Sequence, residues 1–402
     1  MIGGEEQQNS VVVLARDKTN RLMATTVGGF SELMLSHDAQ SIFIKILSQS
    51  LSLKDVSPYQ LNGDVKNESN FFGRVEILRE IISNSSVNYL IVGARQLGKS
   101  SILKALERRY EGSREINYYS FTLDESGDVL GAMSEVLGLG DGGGLDEIVV
   151  AIRALDKKPI FLIDEADMFV KYEKERGYYI TSVFRKLSQE GEAMFIMAGF
   201  WTLYEYVSLD YQSPLKNFGK LITLEGLEFE ACRELMIEPM GRIGVRYESD
   251  RIIDEVIELC GRRANYIAIV CDVVLQQLEG SVIGGEDIES ALDSRAVDRM
   301  IKDWESLSAN REKNRLDRLI VYLTIEKERF RLGDVTRSIK EQGLKIDIER
   351  INESLDRLVL GYVIGKSKGD YFYQIPLLKQ KLLEDDLEIL IEGEVDGLVD
   401  KS

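Results

Sequence analysis

The chain has 402 residues, 44% of them hydrophobic, and a formal net charge of −18 at pH 7. That length calls for two or three domains with packed cores, and so large a surplus of acid is repelled on average by nucleic acid and by anionic membrane. One histidine in the whole chain excludes histidine-based metal or triad chemistry, and no uncharged apolar run is long enough to span a membrane.

The N-terminus has neither a basic n-region nor an apolar h-region, so it does not read as a secretory signal. Cys232, Cys260 and Cys271 are spaced for neither zinc nor a disulfide framework. A cytoplasmic protein with reduced core thiols and no membrane contact is expected. In residues 1–65, Val11–Ala15 and Leu22–Val27 flank a polar turn in the manner of a hairpin. Ala39–Leu53 carries a helical apolar pattern through Ile42, Ile44, Ile46 and Leu47. So short a stretch buries little alone, so an N-terminal adaptor that docks on a partner is expected. Ser57–Gly63 reads as a linker.

Residues 66–226 alternate apolar strands with longer periodic segments. Strands are expected at 88–92, 116–122, 159–163, 193–198 and 220–224, which predicts a parallel sheet with helices on both faces. Residues 93–100 read Gly-Ala-Arg-Gln-Leu-Gly-Lys-Ser, the G-x-x-x-x-G-K-S phosphate loop between a strand and a helix. Gly93 and Gly98 let backbone N–H groups turn inward around an anion. The helix opening at Lys99 adds free N–H groups and its positive dipole end. Lys99 brings charge to the β- and γ-phosphates, and the Ser100 hydroxyl is placed to ligate Mg²⁺. Arg95, Gln96, Leu97 and Ser101 complete the expected contacts with a nucleoside triphosphate.

The apolar strand Pro159–Ile163 runs into Asp164-Glu165. Asp164 is expected to hold Mg²⁺ opposite Ser100, and Glu165 to orient and deprotonate the attacking water. A switch that never hydrolyses needs no second carboxylate, so Glu165 argues for turnover. Asp167 reads as a helix-start charge or a network member. The loop Gly138–Gly144 has no phosphate-loop order and no following lysine.

Residues 227–305 carry a helical period and form a small helical subdomain. Residues 311–380 read as three helices, then strands at 362–365 and 371–375 around a basic tip, Lys366–Asp370. That is the order of a winged helix. This module holds 15 lysines and arginines against 11 acids, whereas residues 381–402 hold two lysines against eight acids and read as an acidic tail.

Several landmarks follow in order: Phe71-Phe-Gly-Arg74, the phosphate loop, Asp164-Glu165, Ser213–Phe218, Glu238-Pro-Met240, Gly261–Asn265 and the C-terminal winged helix. Together they resemble the STAND-like, archaeal-type ATPases of the AAA+ class and, more distantly, the Orc/Cdc6 initiators. The resemblance covers about residues 68–380. It implies an α/β fold: a P-loop, AAA+-type parallel-sheet core with a helical lid and a C-terminal winged-helix domain. It also implies ATP as the nucleotide; no guanine-reading Asn-Lys-x-Asp element follows the core strands. Phe72 and Gly73 would lie near the adenine, with Arg74 closing that side and Pro239 bordering the base. Arg262 or Arg263 stands where relatives place a lid residue that senses the γ-phosphate, and Arg263 is taken as the catalytic candidate.

Two departures stand out. The strand ending at Gly199 lacks the polar residue expected to position the lytic water, Thr202 being the nearest candidate. Ala264 replaces the proline of a Gly-x-Pro lid element. Arg185, on the helix after the metal strand, is either a solvent-facing charge or a finger reaching a neighbouring subunit.

A slow, regulated ATPase is therefore expected, acting as a signalling or defence switch. Its nucleotide state would control lid and winged-helix position and homo-oligomerisation, with a protein effector reached through residues 1–65 or the winged helix. The alternative is an ATP-dependent factor of the initiator or transposition-regulator kind, bound to duplex DNA through Arg337, Lys340, Lys366 and Lys368. The acidic chain and the small local excess of positive charge favour the first.

Overall fold

The computed structural model describes residues 57–399 except 62, 64, 66, 67, 85, 141, 142, 211 and 212, together with 15, 16, 21, 22, 31, 34 and 35. Ala15–Arg16 pairs antiparallel with Arg21–Leu22. The rest of the expected hairpin and the helix expected over 39–53 lie outside the described residues.

Five strands form one parallel sheet: β1 (Tyr89–Val92), β2 (Ile116–Thr122), β3 (Lys158–Asp164), β4 (Met194–Gly199) and β5 (Lys220–Thr223). Their order is β2-β3-β4-β1-β5. Each strand starts and ends within a residue of the sequence expectation. The inner strands β1, β3 and β4 are apolar runs buried on both faces, as central parallel strands must be. On one face Phe161, Phe195 and Phe184 stack at ring separations of 5.4 and 4.4 Å. On the other, Ile91, Ile160, Leu162 and Ile196 pack together. Buried Asn88 fixes the strand starts, donating to the Phe218 carbonyl (3.0 Å) and accepting from Phe195 N (2.9 Å).

Helices α1 (Val75–Ser83) and α2 (Lys99–Tyr110) cover the isoleucine face. The phenylalanine face is covered by α3 (Val129–Leu137), α4 (Leu145–Arg153), α5 (Asp167–Glu175), α6 (Tyr179–Gln189) and the short α7 (Trp201–Tyr204). A helical lid follows: α8 (Phe229–Arg242), α9 (Asp250–Leu259), α10 (Ala264–Gln277), α11 (Gly285–Leu292) and α12 (Arg295–Ile301). All three cysteines are buried free thiols of its core, and burial pushes the Cys232 thiol up to about 12.

The C-terminal module contains α13 (Arg311–Thr324), α14 (Leu332–Glu341) and α15 (Ile348–Leu360), then the antiparallel pair β6 (Ile364–Ser367) and β7 (Asp370–Tyr373). The hairpin sits about two residues from the expected positions. Tyr362 takes a left-handed φ of 58° and belongs to the helix exit, not to a strand. Ser367 opposite Asp370 leaves a two-residue turn at Lys368-Gly369, where both φ angles are positive (52° and 89°), as a type I′ hairpin turn requires.

After α16 (Pro376–Leu382), much of the stretch expected as an acidic tail forms α17 (Leu387–Val399). Leu387, Leu390, Ile391 and Val395 pack it on the core. Arg318 of α13 grips Glu394 at 2.6 and 2.9 Å. Lid and C-terminal module share one continuous hydrophobic core. Among the described residues no helix is long and apolar enough to cross a membrane.

Candidate functional site

β1 delivers the chain into the Gly93–Ser100 loop, and α2 begins at Lys99. Gln96 and Gly98 take left-handed φ values of 63° and 93°. A Cβ on Gly98 would meet no atom within 4 Å, so glycine is required there by the backbone angle alone. Lys99 is only 7% exposed, and its Nζ donates to the carbonyls of Gly93 (2.9 Å) and Ala94 (3.0 Å). Burial pulls the ammonium below the usual lysine range, while Glu165, Asp164 and Asp167 hold it up.

The two carboxylates stand at the tip of β3. Asp164 is 8% exposed, and its Oδ1 accepts the N–H of Glu165 (3.0 Å). Glu165 adopts φ 54°, an uncommon angle for a non-glycine residue that marks a constrained position. Burial raises its carboxyl above the ordinary glutamate value, opposed by Lys99. Asp167 opens α5 and is a network member: its carboxylate accepts Phe200 N (2.7 Å) and Leu203 N (3.1 Å) at the end of β4. A Cβ on Gly199 would lie 2.7 Å from Asp167 Oδ2. The polar side chain that the resemblance expects at the end of that strand has no room.

The lid closes on the loop from the other side. Gly261 and Arg262 both take φ 59° and turn the chain into α10. Buried Arg263 donates to the Arg95 carbonyl (3.1 Å) with its guanidinium over the Tyr266 ring, and Asn265 donates to the Gln96 side chain (2.6 Å). Arg74 is buried and spans three carbonyls, Leu97 (3.3 Å), Glu225 (2.7 Å) and Gly226 (3.3 Å). It therefore ties the loop to the segment that enters the lid. Gly73 is forced, because a Cβ would sit 2.4 Å from the Glu228 carboxylate at φ 69°.

Between loop and lid lies a cavity of about 200 Å³, lined by Phe72, Leu97, Gly98, Ser101, Pro239 and Ala268 among others. Its outer wall is Pro58–Leu61 and Val65, which the sequence shows only as a linker. Tyr59 is buried, with its hydroxyl donating to the Met236 carbonyl (3.2 Å), and Val65 N donates to Ser101 Oγ (3.2 Å). Arg185 is half-buried on α6 with its Nε enclosed. Thr202 lies on α7, beyond the Gly199 position.

The donor set suits a magnesium nucleoside triphosphate. A glycine cradle at a helix N-terminus carries one buried lysine, hydroxyl and carboxylate ligands for a hard cation flank it, and an apolar cavity adjoins. No protein-family model matches the chain, and no curated protein matches it. Among solved structures, a Walker-type ATPase of Pyrococcus abyssi superposes with a TM-score of 0.58 over 81% of this chain and 99% of its own, at 17% identity. The chain has the fold of a P-loop ATPase. Looser matches include the Aeropyrum pernix Orc1 protein in complex with DNA (TM-score 0.40, 15% identity, 83% of this chain and 95% of that one). The Thermotoga maritima RuvB Holliday junction branch migration motor is comparable (0.41, 13%, 80% and 98%). The P-loop, AAA+-type parallel-sheet core expected from the sequence is the fold observed.

Proposed function

We propose that the chain is a magnesium-dependent, ATP-binding and ATP-hydrolysing switch whose nucleotide state sets the position of the helical lid and of the C-terminal module, read as a winged helix. The observation that carries this reading is the pair of bonds from one lid turn to the phosphate loop: Arg263 to the Arg95 carbonyl and Asn265 to Gln96. Whatever fills the loop changes the contacts that hold the lid.

In this reading Gly93 to Ser101 present backbone and side-chain donors to the phosphates, and Lys99 gives up its loop carbonyls for them. Ser100 and Asp164 hold Mg²⁺, which neutralises phosphate charge when bound. Glu165 accepts the proton of the attacking water, its carboxyl held above the ordinary glutamate value by partial desolvation and opposed by Lys99. Arg263 reports the γ-phosphate to the lid. Phe72, Gly73 and Pro239 flank the base, and Arg74 secures the loop behind it. The STAND-like resemblance supports a signalling or defence role, with nucleotide-dependent homo-oligomers and an effector reached through residues 1–65 or the winged helix.

The DNA-binding alternative has less support. The C-terminal half of α15, the helix a winged helix uses in the major groove, is packed against the sheet domain; of its exposed residues Glu349 is acidic and Arg350 is paired with Glu312. The test is solution mass and calorimetry with ADP and with ATP–Mg²⁺, for wild type and Glu165→Gln, each with and without duplex DNA. ATP binding with assembly indifferent to DNA is expected. Absence of ATP binding overturns the reading, and assembly only on DNA reverses the ranking.

A further inference from the structure

The end of β4 joins the catalytic turn to the C-terminal module through an unbroken run of contacts. Glu165 lies two residues before Asp167. Ala166 N donates to the Ala198 carbonyl (2.9 Å), and both oxygens of Asp167 are taken by Phe200 N and Leu203 N. The catalytic turn and the strand end therefore move as one bonded unit. The next residue, Trp201, is 5% exposed, and the Arg357 guanidinium of α15 sits 5.0 Å from its ring centroid. Arg357 is held in turn by Asp317 of α13, through Nε (2.7 Å) and a terminal nitrogen (2.6 Å). Ser354 also donates to Asp317. Three residues past Arg357, Leu360 enters the aromatic core of the sheet domain, and Tyr362 enters the core of the opposite face.

This junction is tight yet incompletely satisfied. Trp201 Nε1 and one terminal nitrogen of Arg357 are enclosed without a hydrogen-bond partner. Both are donors that water would satisfy once the surfaces part, so the docked arrangement carries a desolvation cost that separation relieves. Those unmet donors lower the cost of parting the surfaces, and a bonded lever from the catalytic turn is placed to act on the junction.

We propose that Asp167 is a positioning residue for Glu165, and that the Trp201–Arg357 contact is the latch by which the catalytic turn holds or releases the docked C-terminal module. The proposal rests on the ATPase reading for its trigger but not for the latch itself, and the two are tested separately. Of the two tryptophans in the chain, Trp304 lies elsewhere, beside Tyr322. A Trp304→Phe background therefore makes emission a report on Trp201 alone.

In nucleotide-free protein the docked Trp201 is expected to emit as a buried indole. The double variant Asp317→Ala/Arg357→Ala, which removes the contact without refilling it and is checked for native circular dichroism, is expected to show a red shift and a several-fold rise in acrylamide quenching. Unchanged emission and quenching in that folded variant overturns the latch, whatever the protein does with ATP. With Glu165→Gln and ATP–Mg²⁺, binding is followed independently by calorimetry. Binding accompanied by the same red shift supports the trigger, and binding with unaltered emission refutes it. No binding refutes the ATPase reading, and the trigger with it. Asp167→Asn is expected to lower kcat severalfold at unchanged KM, because it disturbs Glu165 without touching the nucleotide. A change confined to KM, or no change, removes Asp167 from its positioning role.

Discussion

Asp317 and Arg357 are each 1% exposed, and their pairing allows a sharp energetic prediction. Asp317→Leu deletes the acceptor of three hydrogen bonds, one from Ser354 and two from Arg357. The stranded guanidinium keeps only the Lys313 carbonyl at 3.4 Å and the face of Trp201. Neither neutralises its charge. Leaving such an ion buried and unpaired costs about 3–5 kcal/mol, a large share of a total stability of about 5–15 kcal/mol. Replacing both partners, Asp317→Leu with Arg357→Met, removes the charge problem at similar volume and is expected to fall within about 1–2 kcal/mol of wild type. Urea unfolding of the two single variants and the double, arranged as a cycle, reads these differences directly. A single-variant cost below about 1 kcal/mol, or a double variant as weak as the sum of the singles, would show that the pair is hydrated and not enclosed.

Glu165→Gln is expected to keep nucleotide affinity while turnover falls by roughly 10²–10⁴-fold. Burial lifts the Glu165 carboxyl above its ordinary value of 4.5, and the base must be deprotonated to act. The acid limb of the wild-type kcat/KM profile, which reports the free enzyme, is therefore expected above the ordinary glutamate range, and a limb well below that range argues against Glu165 as the base. Lys99→Met removes a charged donor from the loop and should weaken nucleotide binding by about 10–100-fold in calorimetry, from about 1.5–3 kcal/mol of charged hydrogen bonding. Gly261→Ala puts a Cβ 2.3 Å from the Gln374 carbonyl at φ 59° and is expected to loosen the lid from the C-terminal module, with more rapid proteolysis between them. Gly244→Ala, at φ 78° with open space around it, is expected to pay only the backbone cost of about 1–2 kcal/mol.

What the sequence displays well is what local chemistry decides. The strands are short apolar runs and the phosphate loop is a contiguous string, so both are readable without knowing what packs on them. Tyr59 is different: a proline and polar neighbours give it the look of a linker, and its burial depends on Met236 far along the chain. The end of β4 shows the same limit, because Gly199 is small to make room for an Asp167 carboxylate that arrives from the start of α5. Around α17 the eight acids of residues 381–402 draw the eye, although Leu387, Leu390, Ile391 and Val395 already mark an apolar face at helical spacing. The hairpin shift has a local cause, since no apolar pattern reveals that Tyr362 takes a left-handed angle.

The wall formed by Pro58–Leu61, Gly63 and Val65 sets a limit on travel. It is fastened at one end to the lid by Tyr59 and at the other to α2 through Val65 and Ser101. The six peptide links between those anchors reach roughly 20–22 Å when pulled straight. Lid and loop thus share a leash of fixed length, and any opening wider than that must first cut one of its two ends. One end is held by the burial of Tyr59 in the lid core as well as by its hydroxyl, and the other by Arg108 as well as by Ser101.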